Sequence, residues 1–148
     1  MANIRIYNGT VTAAGTDGTA VSEGTGTNPI TASLIVDSTN GASAAVKCAI
    51  RCDSGYTTSG STLIKTVTES NGSYSDYSGT NVQLAADNSY ADAAAALSGA
   101  TWANSLTLSG VGATNKIFWV KFNAAAASNP ANDDSVKIYY NATVSAAS

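Results

Sequence analysis

Apolar and polar residues alternate with a period of two over most of this chain, and clusters of turn-forming residues separate the alternating runs. The pattern predicts strands at 3–7, 10–14, 30–36, 44–52, 62–68, 80–86, 104–109, 115–123 and 135–144. Many short strands at this spacing, with Gly and Asn between them, are typical of an antiparallel sandwich or barrel. We therefore expect an all-β protein with one domain over residues 1–148.

The clearest alternation lies near the C-terminus. Residues 117–122 read Ile-Phe-Trp-Val-Lys-Phe, and the run after residue 135 places five apolar side chains on one face: Val136, Ile138, Tyr140, Ala142 and Val144. Between these runs, Asn129-Pro130 and Asn132-Asp133-Asp134 interrupt the strand pattern. The order predicts an antiparallel C-terminal hairpin with a long loop.

One Ala-rich segment departs from the strand pattern. Residues 90–97 read Tyr-Ala-Asp-Ala-Ala-Ala-Ala-Leu, Ser89 is a candidate N-cap and Gly99 a candidate stop. A helix of barely two turns is marginal by itself. The segment is therefore either a short helix or an extended crossover.

The two cysteines lie four residues apart in a predicted strand. Cys48 and Cys52 would then share one face at a separation of about 13 Å, which is too far for a disulfide. The chain has no His and no second Cys pair that would suit a metal. We expect both cysteines to be small core side chains.

The composition excludes several classes of protein. Charged residues make up 11% of the chain, the net charge is −3, and His is absent. There is no basic footprint for nucleic acid, no histidine base or ligand, and no apolar run long enough to span a membrane. Paired carboxylates remain the one enzymatic route, yet most Asp residues lie in turns, where they cap backbone amides. We therefore expect no enzyme and no cofactor.

The loop at 124–134 contains several hard oxygen ligands. Asn129, Asn132, Asp133 and Asp134 are compatible with Ca²⁺, but the spacing of a Ca²⁺-binding motif is missing. Adjacent acids in a hairpin loop are usually solvated. We predict no metal site, and the sequence leaves cation binding by this loop open.

Two loops are rich in Tyr, Ser, Gly and Asn, which are the residues of adaptable binding loops. Residues 71–79 include Tyr74 and Tyr77, and residues 53–60 include Tyr56. One interpretation is an adhesion module that binds a carbohydrate or host surface through these three tyrosines. The other is a pair of ordinary polar loops whose tyrosines fold back on the sheet.

Four segments together resemble a known group of proteins: residues 4–9 (Ile-Arg-Ile-Tyr-Asn-Gly), 50–56 (Ile-Arg-Cys-Asp-Ser-Gly-Tyr), 112–119 (Gly-Ala-Thr-Asn-Lys-Ile-Phe-Trp) and 132–136 (Asn-Asp-Asp-Ser-Val). The pattern resembles small structural proteins encoded by phages and prophages of Gram-positive bacteria. The C-terminal half is also similar to the Ig-like modules that decorate phage heads and tails.

The resemblance implies an antiparallel Ig-like β-sandwich and a structural role in a virion. A capsid decoration protein on the head exterior is the leading expectation, and a tail or neck component is the alternative. The implied partners are the major capsid protein and further copies of this chain. Tyr7, Trp102 and Tyr139 are the predicted interface aromatics, and strand 3–7 and tail 144–148 the predicted pairing segments.

The expected location is the virion. Residues 1–7 have no apolar core of a secretory signal. We therefore expect synthesis in the host bacterial cytoplasm and release by lysis.

Overall fold

The computed structural model describes residues 3–21, 29–128 and 135–147. Its strands are β1 (Ile4–Asn8), β2 (Thr19–Ala20), β3 (Ala42–Cys52), β4 (Tyr56–Ser70), β5 (Ser73–Asp76), β6 (Val82–Ala86), β7 (Ser105–Ser109), β8 (Lys116–Ala124) and β9 (Val136–Ala146). Its helix is α1 (Ala93–Gly99), between β6 and β7.

The strands form two antiparallel sheets. Sheet A has the order β2-β1-β3-β8-β6. Sheet B is organised around β4, which pairs with β9 along one edge and with β7 and then β5 along the other. This architecture confirms the predicted all-β sandwich.

The main core lies between the sheets and is formed by alternate residues of both. Phe118, Ile50 and Ile64 are completely buried there. On β9, Ile138, Tyr140, Ala142 and Val144 pack against this core, as the period-two pattern predicts.

Both cysteines belong to the main core, where they are buried and unbridged as predicted. Burial raises the pKa of the Cys48 thiol to about 12. Burial, together with the neighbouring Asp53 carboxylate, also raises the pKa of Cys52.

A second apolar layer covers the outer face of sheet A. The Ala-rich segment is a helix, and Ala96 of α1 is buried beside Ala49 of β3 in this layer. The N-cap is Asp92, whose carboxylate accepts a hydrogen bond from the Ala95 N–H, and not Ser89. The helix packs against β3, and this tertiary packing stabilises a helix too short to persist alone.

The predicted C-terminal hairpin is wrong. β8 lies in sheet A between β3 and β6, whereas β9 lies in sheet B beside β4. The physical reason is visible in the burial pattern. Residues 117–120 are buried on both faces, which suits a central strand under the helix layer, whereas β9 buries only one face.

A further strand prediction, that at residues 10–14, differs from the structure. Residues 10–14 form a loop, and the strand that pairs with β1 there is the short β2 at Thr19–Ala20. Arg51 fixes this loop by donating to the Asp17 carbonyl (2.7 Å) and to Asn115 Oδ1 (2.6 Å). Asn115 in turn donates to the Asp17 carboxylate at 2.8 Å. Side-chain hydrogen bonds thus replace the expected strand ladder.

Candidate functional site

The outward face of sheet B carries a cluster that the strand pattern alone does not reveal. It is built where β5 and β9 flank the C-terminal half of β4. We name Tyr74, Tyr139, Lys65 and Asp76 the tyrosine patch.

A tight turn positions Tyr74. Asn71 and Gly72 have φ values of 51° and 81°, and Ser70 pairs with Ser73 across this two-residue loop. Positive φ at both positions is the geometry of a type I′ hairpin, for which Asn-Gly is the preferred sequence. The turn places Tyr74 opposite Glu69, on the outward face of the sheet.

Tyr74 and Tyr139 meet above β4 although they come from strands on opposite sides of it. Their ring centroids are 5.8 Å apart and the rings are tilted by 52°. Val67 lies between Lys65 and Glu69 on the same outward face, yet it is only 1% exposed. Val67 is therefore covered by the side chains around it on this face, while Tyr74 itself remains 55% exposed.

An ion pair adjoins the rings. Lys65 Nζ lies 2.8 Å from an Asp76 carboxylate oxygen and 5.4 Å from the centroid of the Tyr139 ring. A second, longer pair joins Lys137 to Glu69 at 3.8 Å. Surface pairs of this kind add little stability. Their effect here is to leave the patch electrically balanced.

A cavity opens next to the ion pair, where β7 ends its pairing with β4 and β5 begins. Its volume is about 240 Å³, and we name it the junction cavity. It is lined by Lys65, Thr66, Asp76, Tyr77, Ser78, Asn104 and Ser105.

Thr66 and Asn104 hold the floor of the junction cavity. The Thr66 N–H donates to the Asn104 carbonyl, and the Thr66 carbonyl accepts from the Tyr77 N–H. Asn104 Nδ2 donates to Thr66 Oγ1 and to the Gly79 carbonyl. These bonds bridge the gap between β5 and β7, so the cavity has a fixed shape.

A different surface feature lies in the segment 30–36. Its side chains alternate between half-buried and exposed, as in a strand, and Ile30 packs against the main core. Within the part of the chain that the structure describes, its backbone groups make no hydrogen bond. Ile35 is 94% exposed. The segment predicted as a strand here has the alternating burial of a strand but no hydrogen-bonded ladder within the described residues.

The five tyrosines and one tryptophan predicted as contact residues lie in different environments. Tyr7 is only 8% exposed, with the Arg51 guanidinium 3.6 Å from its ring centroid. Trp102 is half-buried in the same helix layer, and its Nε1 donates to the Leu97 carbonyl. Neither ring is presented as a free surface aromatic, because α1 and the loop after β1 cover the sheet there.

The proposed grouping of Tyr56, Tyr74 and Tyr77 does not form. Tyr56 packs against the main core at the first residue of β4, far from the Glu69 position opposite Tyr74. Tyr77 folds back over its own loop, where its hydroxyl accepts from the Asn81 N–H at 3.1 Å. Gly79 permits this fold, since a Cβ there would collide with the Tyr77 ring.

The structure brings Tyr139 and Lys65 to Tyr74 instead. Sequence reasoning placed Tyr139 with other interface aromatics and did not single out Lys65, Asn104 or Ser105. A signal was present, because Lys65, Val67 and Glu69 share the outward face in a period-two pattern.

Several acidic side chains have structural partners. Asp17 accepts from the Thr12 N–H and hydroxyl, and Asp37 from the Thr39 and Asn40 N–H groups. These bonds, chiefly those from the Thr12 and Thr39 backbone, lower the pKa of Asp17 and Asp37. Such carboxylates fix turns and remain ionised.

The candidate cation ligands of the 124–134 loop, Asn129, Asn132, Asp133 and Asp134, lie outside the described residues, so the structure leaves cation binding there open. Within the described ranges, no three His, Cys, Asp or Glu side chains gather closely enough to hold a metal ion. In the same ranges, no helix is long and apolar enough to cross a membrane.

Comparison of the chain with protein-family models, with curated proteins and with solved structures finds no match. A functional conclusion must therefore rest on the geometry of segment 30–36, the tyrosine patch and the junction cavity.

Proposed function

We propose that this chain is a structural protein of a virus particle, most specifically a decoration protein on the outside of a phage capsid. The observation that carries the proposal is segment 30–36. It has the sequence and burial pattern of a strand but lacks backbone partners within the described chain. Such a segment is suited to complete a sheet with a strand of a neighbouring molecule.

The sequence of the segment favours this use. Residues 30–36 read Ile-Thr-Ala-Ser-Leu-Ile-Val, with β-branched side chains and no charge. Proteins that remain monomeric usually protect such segments with charged residues or proline, because unpaired backbone N–H and C=O groups can pair with strands of other molecules. Ile35 would bury its exposed side chain against the neighbour.

The low overall charge supports assembly by shape and apolar contact. Only 11% of residues are charged. In a capsid lattice, each copy needs only a modest contact energy with the major capsid protein, because contacts to several neighbours act together. Copies of this chain would also touch one another in such a lattice.

A binding role fits the acidic residues better than catalysis does. Asp17, Asp37 and Asp92 are engaged in turns and a helix cap, and Asp76 is paired with Lys65. A glycosidase needs two carboxylates facing one cleft. Location in the virion, with release by lysis, rests on the resemblance to phage structural proteins.

Mass spectrometry of particles purified after induction of the source strain tests this proposal. We expect a copy number comparable to that of the major capsid protein. A few copies per particle would favour a tail or neck component, and absence from the particles would contradict the virion assignment.

The role of segment 30–36 is tested by Ile35→Lys. We expect its occupancy on capsids lacking the native chain to fall about tenfold, the effect of losing about 1.4 kcal/mol of contact energy. The matched control is Tyr74→Ala, at the other exposed large hydrophobic side chain among the described residues, which should decorate normally. Equal occupancy of Ile35→Lys and the native chain would exclude this segment as the contact.

A further inference from the structure

We propose that the tyrosine patch and the junction cavity together bind a neutral oligosaccharide. This site lies on the outer face of sheet B and uses none of segment 30–36, so it adds a ligand to the proposed assembly role. The site differs from the one expected from the sequence, which grouped Tyr56, Tyr74 and Tyr77. In the structure, Tyr74 lies with Tyr139 and Lys65 instead.

The aromatic part of the site is Tyr74. The residue is more than half exposed, and its ring lies against the Tyr139 ring at a centroid distance of 5.8 Å. A tyrosine held in this way offers a rigid apolar surface with a polar edge, at a low cost in conformational entropy. The C–H face of a pyranose with equatorial substituents is the ligand surface that packs on such a ring.

The polar part of the site is the junction cavity. Its volume of about 240 Å³ is below the roughly 300–1,000 Å³ of pockets for drug-sized ligands. A single sugar ring is a suitable occupant, with the next ring of the oligosaccharide lying over Tyr139 or Tyr74.

The lining of this cavity contains both hydrogen-bond donors and hydrogen-bond acceptors, and a sugar hydroxyl can bond to both. Asp76 supplies carboxylate oxygens and Lys65 supplies ammonium N–H groups. The hydroxyls of Ser78 and Ser105 make no hydrogen bond within the described residues, so they remain available to a ligand. Hydroxyl groups that donate and accept at once match this mixture.

The charge balance selects for a neutral ligand. Lys65 is paired with Asp76, and Lys137 with Glu69, on the same outward face. An anionic ligand would have to compete with Asp76 for Lys65, and a cationic ligand with Lys65 for Asp76. A neutral hydroxyl can bridge the pair without displacing either side chain.

The site is largely preorganised. Asn104 and Thr66 fix the cavity floor, and Gly79 lets Tyr77 pack as a wall. The Asn71-Gly72 turn fixes the height of Tyr74 above the sheet. Less ordering on binding means that more of the contact energy appears as affinity.

Titration of the full chain with cellotriose and with N,N′,N″-triacetylchitotriose, followed by ¹H–¹⁵N NMR, tests the proposal. Both sugars have equatorial substituents and no charge. We expect saturable shifts of the Lys65, Ser78 and Ser105 amides with at least one of them. Tyr74→Ala should weaken that binding about tenfold, the loss expected for one aromatic contact.

Two further variants sharpen the test. Asp76→Asn keeps the side-chain shape and removes the charged acceptor, so it should weaken binding while the fold is retained. Ile35→Ser is the matched control and should bind sugar as the native chain does. Tyr74→Ala should still decorate capsids and Ile35→Lys should still bind sugar, so failure of one proposal is distinguishable from failure of the other.

Three outcomes would overturn the oligosaccharide site. They are an absence of saturable shifts with both sugars, undiminished binding by Tyr74→Ala, and shifts that map away from the junction cavity. If the patch resonances instead broaden with protein concentration alone, the face is a contact between copies of this chain.

Discussion

Aromatic side chains on the two outer faces of the sandwich differ in burial: the one on sheet A is buried and the one on sheet B is exposed. On sheet A, Trp119 is 3% exposed in the apolar layer that includes Ala96 of α1, with its indole N–H donating to Asp87 at 3.0 Å and its ring edge-on to Tyr90. On sheet B, Tyr74 stands in the open above Val67. Both residues occupy outward positions of strands.

The difference comes from the segments that follow each strand. The short helix α1, with Ala96 buried, packs on β3 and covers part of the outer face of sheet A. Within the described chain, no corresponding helix covers the tyrosine patch, so its rings shield only the residue below them. An aromatic side chain on the outward face of a strand is therefore buried only if another segment of the chain packs over it. The period-two pattern of the strand does not show whether this happens.

Truncation of the buried ring should have the largest effect. Trp119→Ala removes a buried aromatic and its hydrogen bond to Asp87, and we expect unfolding to become easier by about 3–5 kcal/mol. Urea denaturation followed by circular dichroism measures this loss. If Trp119→Ala does not fold, Trp119→Phe should fold with a smaller loss.

The matched variant on the open face is Tyr74→Ala. It should cost about 1 kcal/mol or less, since it loses mainly the contact with Tyr139. Equal losses for Trp119→Ala and Tyr74→Ala would contradict the contrast between a covered and an open face.

Two substitutions on the inner face of sheet B, Thr62→Val and Thr66→Val, give a more precise comparison, because Thr and Val have nearly the same shape. Thr62 and Thr66 are both buried on β4, but Thr62 Oγ1 makes no hydrogen bond within the described residues, whereas Thr66 Oγ1 donates to the Tyr77 carbonyl at 3.1 Å. Thr62→Val should raise the free energy of unfolding by about 1 kcal/mol, because it removes an unpaired buried polar group. Thr66→Val should lower it by about 1–3 kcal/mol.

Urea midpoints of the two variants measure this difference under identical conditions. Changes of the same sign would show that hydrogen bonding does not distinguish the two positions.

The smallest expected effect is that of Asp17, in the loop between β1 and β2. Its contribution to the stability of the fold changes only at acidic pH. Hydrogen bonds, first that from the Thr12 N–H, hold the pKa of Asp17 below its ordinary value of 3.8. The carboxylate thus stabilises the fold fully above pH 3.8, and this contribution is lost as the pH falls through the lower pKa of the folded state.

Asp17→Asn should therefore lose less stability than the native chain as the pH falls below 3.8. Thr12→Val, which removes one of the donors to Asp17, should give an intermediate dependence. Identical pH dependence in Asp17→Asn and the native chain would show that Asp17 does not link this loop to pH.

Sequence reasoning predicted the parts of this fold that depend on local pattern. Alternation located β8 and β9 and the inward face of β9, and the strand spacing of Cys48 and Cys52 correctly predicted two unbridged core thiols. The Asn-Gly turn at 71–72 is likewise a local signal, since both residues tolerate positive φ.

The candidate sites depended on pairing, which local pattern does not specify. Tyr56 and Tyr74 lie in similar Ser- and Gly-rich stretches, yet one packs against the core and the other is exposed. Tyr139 reached Tyr74 because β9 pairs with β4 and not with β8. Period-two alternation is the same for every strand pairing, so it could not predict this meeting.

The sequence by itself determined that the chain is an all-β protein of low charge, because alternation and composition are properties of single segments. Tertiary structure alone decided which faces are covered, that residues 30–36 have no hydrogen-bonded ladder within the described chain, and that Tyr74, Tyr139, Lys65 and Asp76 form one patch. The physical reason is that burial and hydrogen bonding between distant segments depend on the sum of many weak contacts, which no single segment contains.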